Sequence, residues 1–318
     1  MTAATETGTG ALENTARLPE FFIVGNPKSG TTALYEMLMP HPQIYMPKLG
    51  TQFFALEQVQ YPNTLQEYLT LFAAARPDQR VGEMSRGYFR SPTAAAGIAN
   101  LRPDARIIAV LREPASFLRS LHMELVQDRV ETETDFAKAI AREEQARAGR
   151  EIEQAPGQGL MYSPQRVGYV EQLRRYHAVF PREQVLVLIY DDFRADNEGT
   201  VRKVLNFLEV DDAQVQATDA NPTVRVRSPR LHELVHSVTM GRGPVTGAVK
   251  RTIKAVTPKQ LRDESLGALR RGVLYTDPEP PDEQLMLELR RRSKDEVHAL
   301  SEYLGRDLVT LWGYDSLG

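Results

Sequence analysis

The sequence contains no cysteine among its 318 residues, and it also lacks long apolar runs. Without cysteine the fold cannot rest on disulfide bonds, and neither a thiolate metal site nor a cysteine nucleophile is available. The longest apolar run, residues 185–190, is far shorter than the roughly 18 residues that cross a bilayer. Residues 1–17 have neither the basic start nor the apolar stretch of a signal peptide, so we expect a flexible N-terminal tail and a cytoplasmic protein.

A large excess of charge of either sign is also missing. The chain has 39 Lys and Arg against 42 Asp and Glu, which gives a formal net charge of −3. A nucleic-acid binder usually shows a basic excess, so we expect no nucleic-acid partner. The balance hides one basic stretch, residues 225–271, which holds 11 Lys and Arg against 3 Asp and Glu. Only 8 of the basic residues are lysine, which makes the position of each one informative.

Short apolar runs alternate with helical patterns along the chain. Residues 21–25, 106–111 and 185–190 are typical of strands buried on both faces of a parallel sheet, and residues 80–83 indicate a fourth strand. Candidate helices cover about residues 30–39, 64–75, 114–126, 134–148, 164–180 and 197–208. This alternation predicts an α/β fold, a P-loop-like central parallel sheet in a three-layer α/β/α arrangement, as a single domain over residues 18–318.

The most informative segment is the first strand and the turn that follows it. The turn and the start of the next helix consist of Pro27, Lys28, Ser29, Gly30, Thr31 and Thr32. In such a strand–loop–helix unit the free backbone N–H groups converge on one point, where the helix dipole also favours an anion. The segment therefore predicts a phosphate cradle; the alternative is a turn that only joins strand to helix.

This turn differs from the loop of ATPases and GTPases. Gly25 and Gly30 have the spacing of that loop, but Thr31 follows the second glycine and the lysine comes earlier, at Lys28. The hexapeptide from Pro27 resembles instead the 5′-phosphosulfate loop of sulfotransferases that use 3′-phosphoadenosine 5′-phosphosulfate (PAPS). A P-loop kinase or NTPase, which would bind ATP with Mg²⁺, is the alternative reading.

A second motif follows the strand at residues 106–111. Arg112 ends that strand, and Ser120 lies two turns into the helix that Pro114 opens. The pattern resembles the 3′-phosphate site of the same family, in which an Arg and a Ser eight positions later hold the phosphate. The alternative is a salt bridge for Arg112 and a helical serine of no special role. Both motifs come at strand carboxyl ends, where open α/β sheets bind ligands, which favours the functional reading.

Later segments extend the resemblance from residue 18 to the C-terminus. Residues 165–173, 180–188, 190–193, 204–208 and 303–312 are similar to the bacterial branch related to the heparan-sulfate sulfotransferases. The resemblance implies transfer of a sulfuryl group from PAPS to a hydroxyl, or alternatively an amine, of a small-molecule, lipid or carbohydrate acceptor, with adenosine 3′,5′-bisphosphate (PAP) as product and no metal. A catalytically silent nucleotide-binding protein is a third interpretation.

The resemblance also implies roles for individual residues. Lys28 would neutralise the charge that develops on the oxygen between phosphate and sulfur, since a flexible ammonium can follow that charge. The residues from Ser29 to Thr32, with their backbone N–H groups and the threonine hydroxyls, would hold the 5′-phosphate.

The resemblance implies a carboxylate that takes the acceptor's proton, but the segment that usually carries it in the family has none in this sequence. The related branch carries Lys-Glu shortly before an aromatic pair, whereas residues 46–54 read Met-Pro-Lys-Leu-Gly-Thr-Gln-Phe-Phe, without a carboxylate. Lys48 is a candidate for the lysine's role. Glu83, at the end of a predicted strand, is the candidate base; the alternative is a structural carboxylate paired with Arg86 or Arg112. His122 and His41 are further candidates, because imidazole titrates near neutral pH.

The basic stretch allows two functional interpretations. Arg225 and Arg227 would close over the 3′-phosphate, as a late basic loop does in this family. Alternatively, residues 250–262 would attract an anionic acceptor or lie at a membrane surface. A solvated helix face without such a role is the third reading.

Overall fold

The structure is a computed structural model that describes residues 17–48, 50–56, 62–148, 161–212 and 280–317, together with the backbone of 225–226 and 275–276. The described residues fall into two compact units. The first comprises residues 17–118, 161–212 and 286–317, and the second comprises residues 119–148 and the described residues between 225 and 285.

A five-stranded sheet forms the centre of the first unit. Its strands are β1 (Phe21–Gly25), β2 (Ile44–Tyr45), β3 (Arg80–Met84), β4 (Arg106–Leu111) and β5 (Val185–Ile189). They pair in the order β2-β3-β1-β4-β5, and every pair is parallel. All carboxyl ends therefore meet at one edge, and β1 ends between β3 and β4.

Helices connect the strands. In chain order they are α1 (Thr31–Leu38), α2 (Leu65–Thr70), α3 (Ala94–Leu101), α4 (Pro114–Gln127), α5 (Phe136–Arg147), α6 (Pro164–Val167), α7 (Tyr169–His177), α8 (Tyr190–Ala195), α9 (Asn197–Leu208), α10 (Glu283–Arg292), α11 (Lys294–Leu304) and α12 (Leu308–Leu311).

Alternate side chains of β1 enter two different cores, as the pleat of a strand requires. Phe22 and Val24 pack in one core with residues of α2, α3, α7, α11 and α12. Phe21 and Ile23 pack in the other with residues of α1, α8 and α9. The sheet thus lies between two helical layers, which confirms the predicted three-layer α/β/α class. Because both faces are covered, β1 and β5 consist of apolar residues throughout, whereas β3 and β4 also contain Arg80, Glu83 and Arg106.

The elements differ from the sequence prediction at several places. Helix α2 ends at Thr70 rather than near residue 75, and helices α10 to α12 were not predicted. The predicted strand at 185–190 ends at Ile189, because Tyr190 begins α8. The predicted helix at 164–180 is interrupted at Gly168, whose φ of −73° and ψ of 66° are not helical. Strand β2, with two residues, is too short for a periodic pattern to reveal, and the alanine-rich α3 was also not predicted.

The second unit contains the later part of α4, helix α5, and a short antiparallel pair formed by β6 (Arg225–Val226) and β7 (Tyr275–Thr276). Residues 227–271, which make up nearly all of the basic stretch, lie outside the described residues. Across the described part of the chain, no helix has both the length and the apolar character needed to span a bilayer.

Candidate functional site

Two glycines shape the loop between β1 and α1. Gly25 has a φ of +146°, and a Cβ there would lie 2.7 Å from the carbonyl oxygen of Val110 on the neighbouring strand β4. Gly30 has a φ of +95°, and its Cβ would lie 3.1 Å from ring atoms of Tyr190 and Phe193. Neither position accepts a side chain without strain. The loop is therefore pressed between β4 and α8.

Lys28 lies at the centre of this loop in a left-handed backbone conformation, with a φ of +61°. Such a conformation is unfavourable for a residue with a Cβ, by about 1–2 kcal/mol. The Lys28 carbonyl oxygen accepts a hydrogen bond of 2.8 Å from the guanidinium of Arg112. This bond fastens the middle of the loop to the residue that follows β4, so the structure brings the two sequence motifs together.

Two hydroxyl groups in the loop are buried and lack a hydrogen-bond partner among the described residues. They are Ser29 Oγ and Thr31 Oγ1, on residues that are 0% and 1% exposed. Buried polar groups are normally paired, because leaving one unpaired costs about 1–3 kcal/mol. Gly30, the N-cap of α1, provides no side-chain cap, so the first N–H groups of the helix, which have no intrahelical acceptor, are not satisfied by a capping side chain either. The two hydroxyls and the first N–H groups of α1 are hydrogen-bond donors that fit a phosphate group.

Arg112 is held from several sides. Its guanidinium carbon lies 4.6 Å from the ring centre of Tyr190, and its carbonyl oxygen accepts a hydrogen bond of 2.9 Å from the Tyr169 hydroxyl. Burial lowers the pKa of Arg112, while the nearby Tyr190 and Asp191 act in the opposite direction. Arginine remains charged in proteins, so the site holds a positive charge in a partly dry environment. Sequence reasoning missed Tyr190; its place directly after β5, at the same edge of the sheet, was the available signal.

Glu83 lies on β3, completely buried at 0% exposure. Its Oε1 accepts hydrogen bonds from the Thr51 amide (3.2 Å), the Thr51 hydroxyl (2.6 Å), the Ser85 hydroxyl (2.6 Å) and the Tyr88 hydroxyl (3.0 Å). Its Oε2 accepts one of 2.5 Å from Tyr68. Burial and the charge of Glu83 raise the pKa values of Tyr68 and Tyr88. Both phenols therefore stay protonated as donors.

In the segment where the sequence resemblance implies a carboxylate, the backbone of Gly50 leaves no room for a side chain. A Cβ at Gly50 would lie 2.3 Å from the carbonyl oxygen of Met84 and 3.2 Å from Ser85 Oγ. The nearer atom belongs to the backbone at the end of β3, which has little freedom to move. Lys48, two residues earlier, is exposed.

The two histidines lie in different surroundings. His41 lies three residues before β2, at the amino edge of the sheet and thus opposite Lys28; its Nε2 lies 3.0 Å from the carbonyl oxygen of Asp211. His122 belongs to the second unit and is 3% exposed. Its Nε2 lies 3.2 Å from the carbonyl oxygen of Thr134, and burial lowers its pKa.

The remaining predicted residues are placed as follows. Pro27 and Thr32 flank the loop and are half-buried. Ser120 is buried in α4, in the part that belongs to the second unit. Arg225 begins β6, where it is paired with Thr276, and Arg227 lies outside the described residues. Within the described ranges, no three His, Cys, Asp or Glu side chains come together as metal ligands would.

Comparison with known proteins shows which proteins this chain resembles. A family model described as "Sulfotransferase domain" matches residues 18–226. Human bifunctional heparan sulfate N-deacetylase/N-sulfotransferase 3 is 28% identical over 204 residues, which is 61% of this chain and 22% of that protein. Mouse heparan sulfate glucosamine 3-O-sulfotransferase 3A1 is 27% identical over 213 residues, which is 65% of this chain and 50% of that protein. The chain thus spans half or less of these two curated relatives.

A solved structure resembles a large part of this chain. The crystal structure of a sulfotransferase from Alicyclobacillus acidocaldarius is 30% identical, with a TM-score of 0.56, and the match covers 71% of this chain and 92% of that one.

Proposed function

Because the chain belongs to the sulfotransferase family, we propose that it transfers a sulfuryl group from PAPS to a hydroxyl of a carbohydrate acceptor and releases PAP. Among the acceptor classes that the sequence leaves open, carbohydrates are supported by the relatives whose names refer to heparan sulfate. An amine is the alternative acceptor group, since one of these relatives is named an N-sulfotransferase.

The observation that carries the donor assignment is the pair of buried, unpartnered hydroxyls in the loop after β1. Ser29 Oγ and Thr31 Oγ1 lie beside the uncapped start of α1, where backbone N–H groups and the helix dipole favour an anion. A phosphate oxygen can accept from both hydroxyls and from those N–H groups. Residues Ser29 to Thr32 would therefore hold the 5′-phosphate of the donor.

Arg112 would hold the 3′-phosphate. Its guanidinium is already fixed beside the loop by the Lys28 carbonyl oxygen and by Tyr190, so little freedom is lost when it binds an anion. Ser120, Arg225 and Arg227 are assigned to the same phosphate by the sequence resemblance, and for these three residues the assignment remains a prediction.

Lys28 would stabilise the negative charge that develops during sulfuryl transfer. Bound PAPS supplies the sulfuryl group together with a phosphate leaving group, on which negative charge grows as the bond to sulfur breaks. A positively charged side chain that is fixed in advance beside developing charge stabilises it strongly. The strained backbone of Lys28 and its bond to Arg112 position the start of this side chain, while its length lets the ammonium follow the charge.

Calorimetry with PAP and with ATP, each with and without Mg²⁺, tests the donor. We expect preference for PAP, because ATP has no 3′-phosphate for Arg112. Preference for ATP would contradict the proposal. Transfer from labelled PAPS to a panel of saccharides, lipids and small molecules then tests the acceptor, and labelling of only non-carbohydrate compounds would contradict that part.

The role of the lysine is tested by Lys28→Met, which keeps an unbranched side chain only one atom shorter and removes its charge. We expect transfer to fall by at least about 100-fold, as losses of electrostatic stabilisers do, with a much smaller loss of PAP affinity. Lys138→Met is the matched control, because Lys138 is an exposed lysine of the second unit whose ion pair with Asp135 spans 3.7 Å. A Lys28→Met variant as active as this control would refute the role.

A further inference from the structure

The Glu83 cluster lies at the same edge of the sheet as the phosphate loop. Ser85 N–H donates to the carbonyl oxygen of Ile23 on β1, at 3.3 Å, so the turn after β3 runs beside the end of β1. In the proposed function the donor occupies the ends of β1 and β4. The turns that follow β2 and β3 therefore form the neighbouring part of the edge, on the side away from β4.

These two turns are joined by Gln52 as well as by Glu83. Gln52 has a left-handed backbone with a φ of +56°. Its N–H donates to Ser85 Oγ at 3.1 Å, and its side-chain oxygen accepts from the Gly87 N–H at 3.1 Å. Ser85 Oγ in turn donates to Glu83. The hydrogen bonds thus form one network that starts at the carboxylate and ends in the two turns.

The carboxylate is fully occupied by this network. Four donors surround Oε1, and the hydroxyl of Tyr68 occupies Oε2. A general base must come within hydrogen-bond reach of the proton that it takes. Glu83 is completely buried, and the groups that surround it are donors of this chain.

We propose that Glu83 is a positioning residue: its carboxylate fastens residues 51–53 to residues 85–88, so that the two turns form a rigid acceptor-side wall, and it does not take the acceptor's proton. This inference rests on the proposed function, which it refines by assigning the roles of this cluster. The hydrogen bonds that form this network join residues of the two turns, Tyr68 and Glu83, so we expect its loss to affect the acceptor side more than the donor side.

Amide hydrogen–deuterium exchange on the full chain tests the proposal without an identified acceptor. In Glu83→Gln we expect the amides of Thr51, Gln52 and Gly87 to exchange at least about tenfold faster, while β4 is unchanged and PAP affinity stays within about threefold. Unchanged exchange in both turns would overturn the proposal. Failure of the wild-type chain to bind PAP would instead overturn the proposed function, so the two failures are distinguishable.

Variants that remove a single hydrogen bond to Glu83 test the same proposal if Glu83→Gln does not fold. Thr51→Val and Tyr68→Phe each remove one donor to the carboxylate, and we expect faster exchange in the same two turns. Tyr314→Phe is the matched control, because the Tyr314 hydroxyl donates to a different buried carboxylate, Glu113, at 2.6 Å. Equal exchange in the 51–53 and 85–88 turns for Tyr68→Phe and Tyr314→Phe would contradict the proposal.

Kinetics with a saccharide that the labelled-donor assay identifies separate a positioning residue from a base. We expect Glu83→Gln to raise the acceptor KM about tenfold, with kcat changed by less than that, and to keep the acidic limb of the pH profile where the wild type has it. A base would behave differently: kcat would fall by about 100-fold or more and the acidic limb would disappear. That second result would overturn the proposal.

Discussion

At the scale of single residues, the backbone conformation of Lys28 lowers the stability of the fold. A left-handed backbone favours glycine, yet the chain has a lysine at a φ of +61°. The strain is retained at a loop where two neighbouring hydroxyls lack partners within the described structure, and strain of this kind is typical of functional sites.

Replacing Lys28 by glycine should therefore separate stability from activity. We expect Lys28→Gly to unfold with a free energy that is unchanged or up to about 1 kcal/mol higher, because glycine adopts this conformation without strain, while sulfuryl transfer is lost. Urea denaturation and the transfer assay measure the two effects. Arg129→Gly is the control, since Arg129 has the same φ of +61° in the second unit; it should keep its activity. A Lys28→Gly variant with normal transfer would contradict the argument.

At the scale of elements, residues near the C-terminus hold the junction of β5 and α8, where Tyr190 lies beside Arg112. The indole N–H of Trp312 donates to Asp191 at 2.9 Å, and Arg306 pairs with Asp192 at 2.7 Å. Residues near the C-terminus thus hold the first turn of α8. Tyr190, which begins this helix, is fixed as a result.

Tyr190 should contribute to donor affinity through Arg112. A guanidinium over an aromatic ring gains about 0.5–1 kcal/mol at partly exposed sites, so we expect Tyr190→Leu to weaken PAP binding about fivefold. Tyr190→Phe keeps the ring and should bind PAP like the wild type. Calorimetry distinguishes the variants. Equal affinities for all three proteins would show that the ring does not position Arg112.

At the scale of the whole molecule, the buried His122 and the half-buried His177 make stability depend on pH. Burial lowers the pKa of His122 in the second unit, and burial together with the charge of Arg182 lowers that of His177 in the first. The unfolded chain has the ordinary histidine pKa of about 6.5, so it binds more protons than the folded chain just below that pH.

The free energy of unfolding should therefore fall as the pH is lowered from 7 to 5 and stay level above 7. The slope is at most about 1.4 kcal/mol per pH unit for each histidine. Urea denaturation at a series of pH values measures it. His122→Gln should flatten the slope, whereas His298→Gln, at an exposed position, should not. An equal slope in the His122 variant would contradict the role of burial.

The α/β class, and the meeting of Lys28 and Arg112 at one edge of the sheet, could be predicted from the sequence because each depends on residues close together in the chain. Apolar runs reveal buried strands; Arg112 follows such a run directly, and Lys28 lies in the turn that follows another. The surroundings of Glu83 could not be predicted, because Thr51 and Tyr68 come from other segments and only the folded sheet brings them together. The start of α8 could not be predicted from the sequence, because Tyr190 continues the apolar pattern of the preceding strand.

Gly50 has a consequence for how this site can be altered by mutation. A glycine codon that ends in A or G becomes a glutamate codon by a single nucleotide substitution, but the new Cβ would meet the Met84 carbonyl oxygen at 2.3 Å. The turn after β3 would have to move to accommodate it, and that turn is held by hydrogen bonds to Glu83. A carboxylate can therefore be introduced at position 50 only together with a rearrangement of the turn after β3.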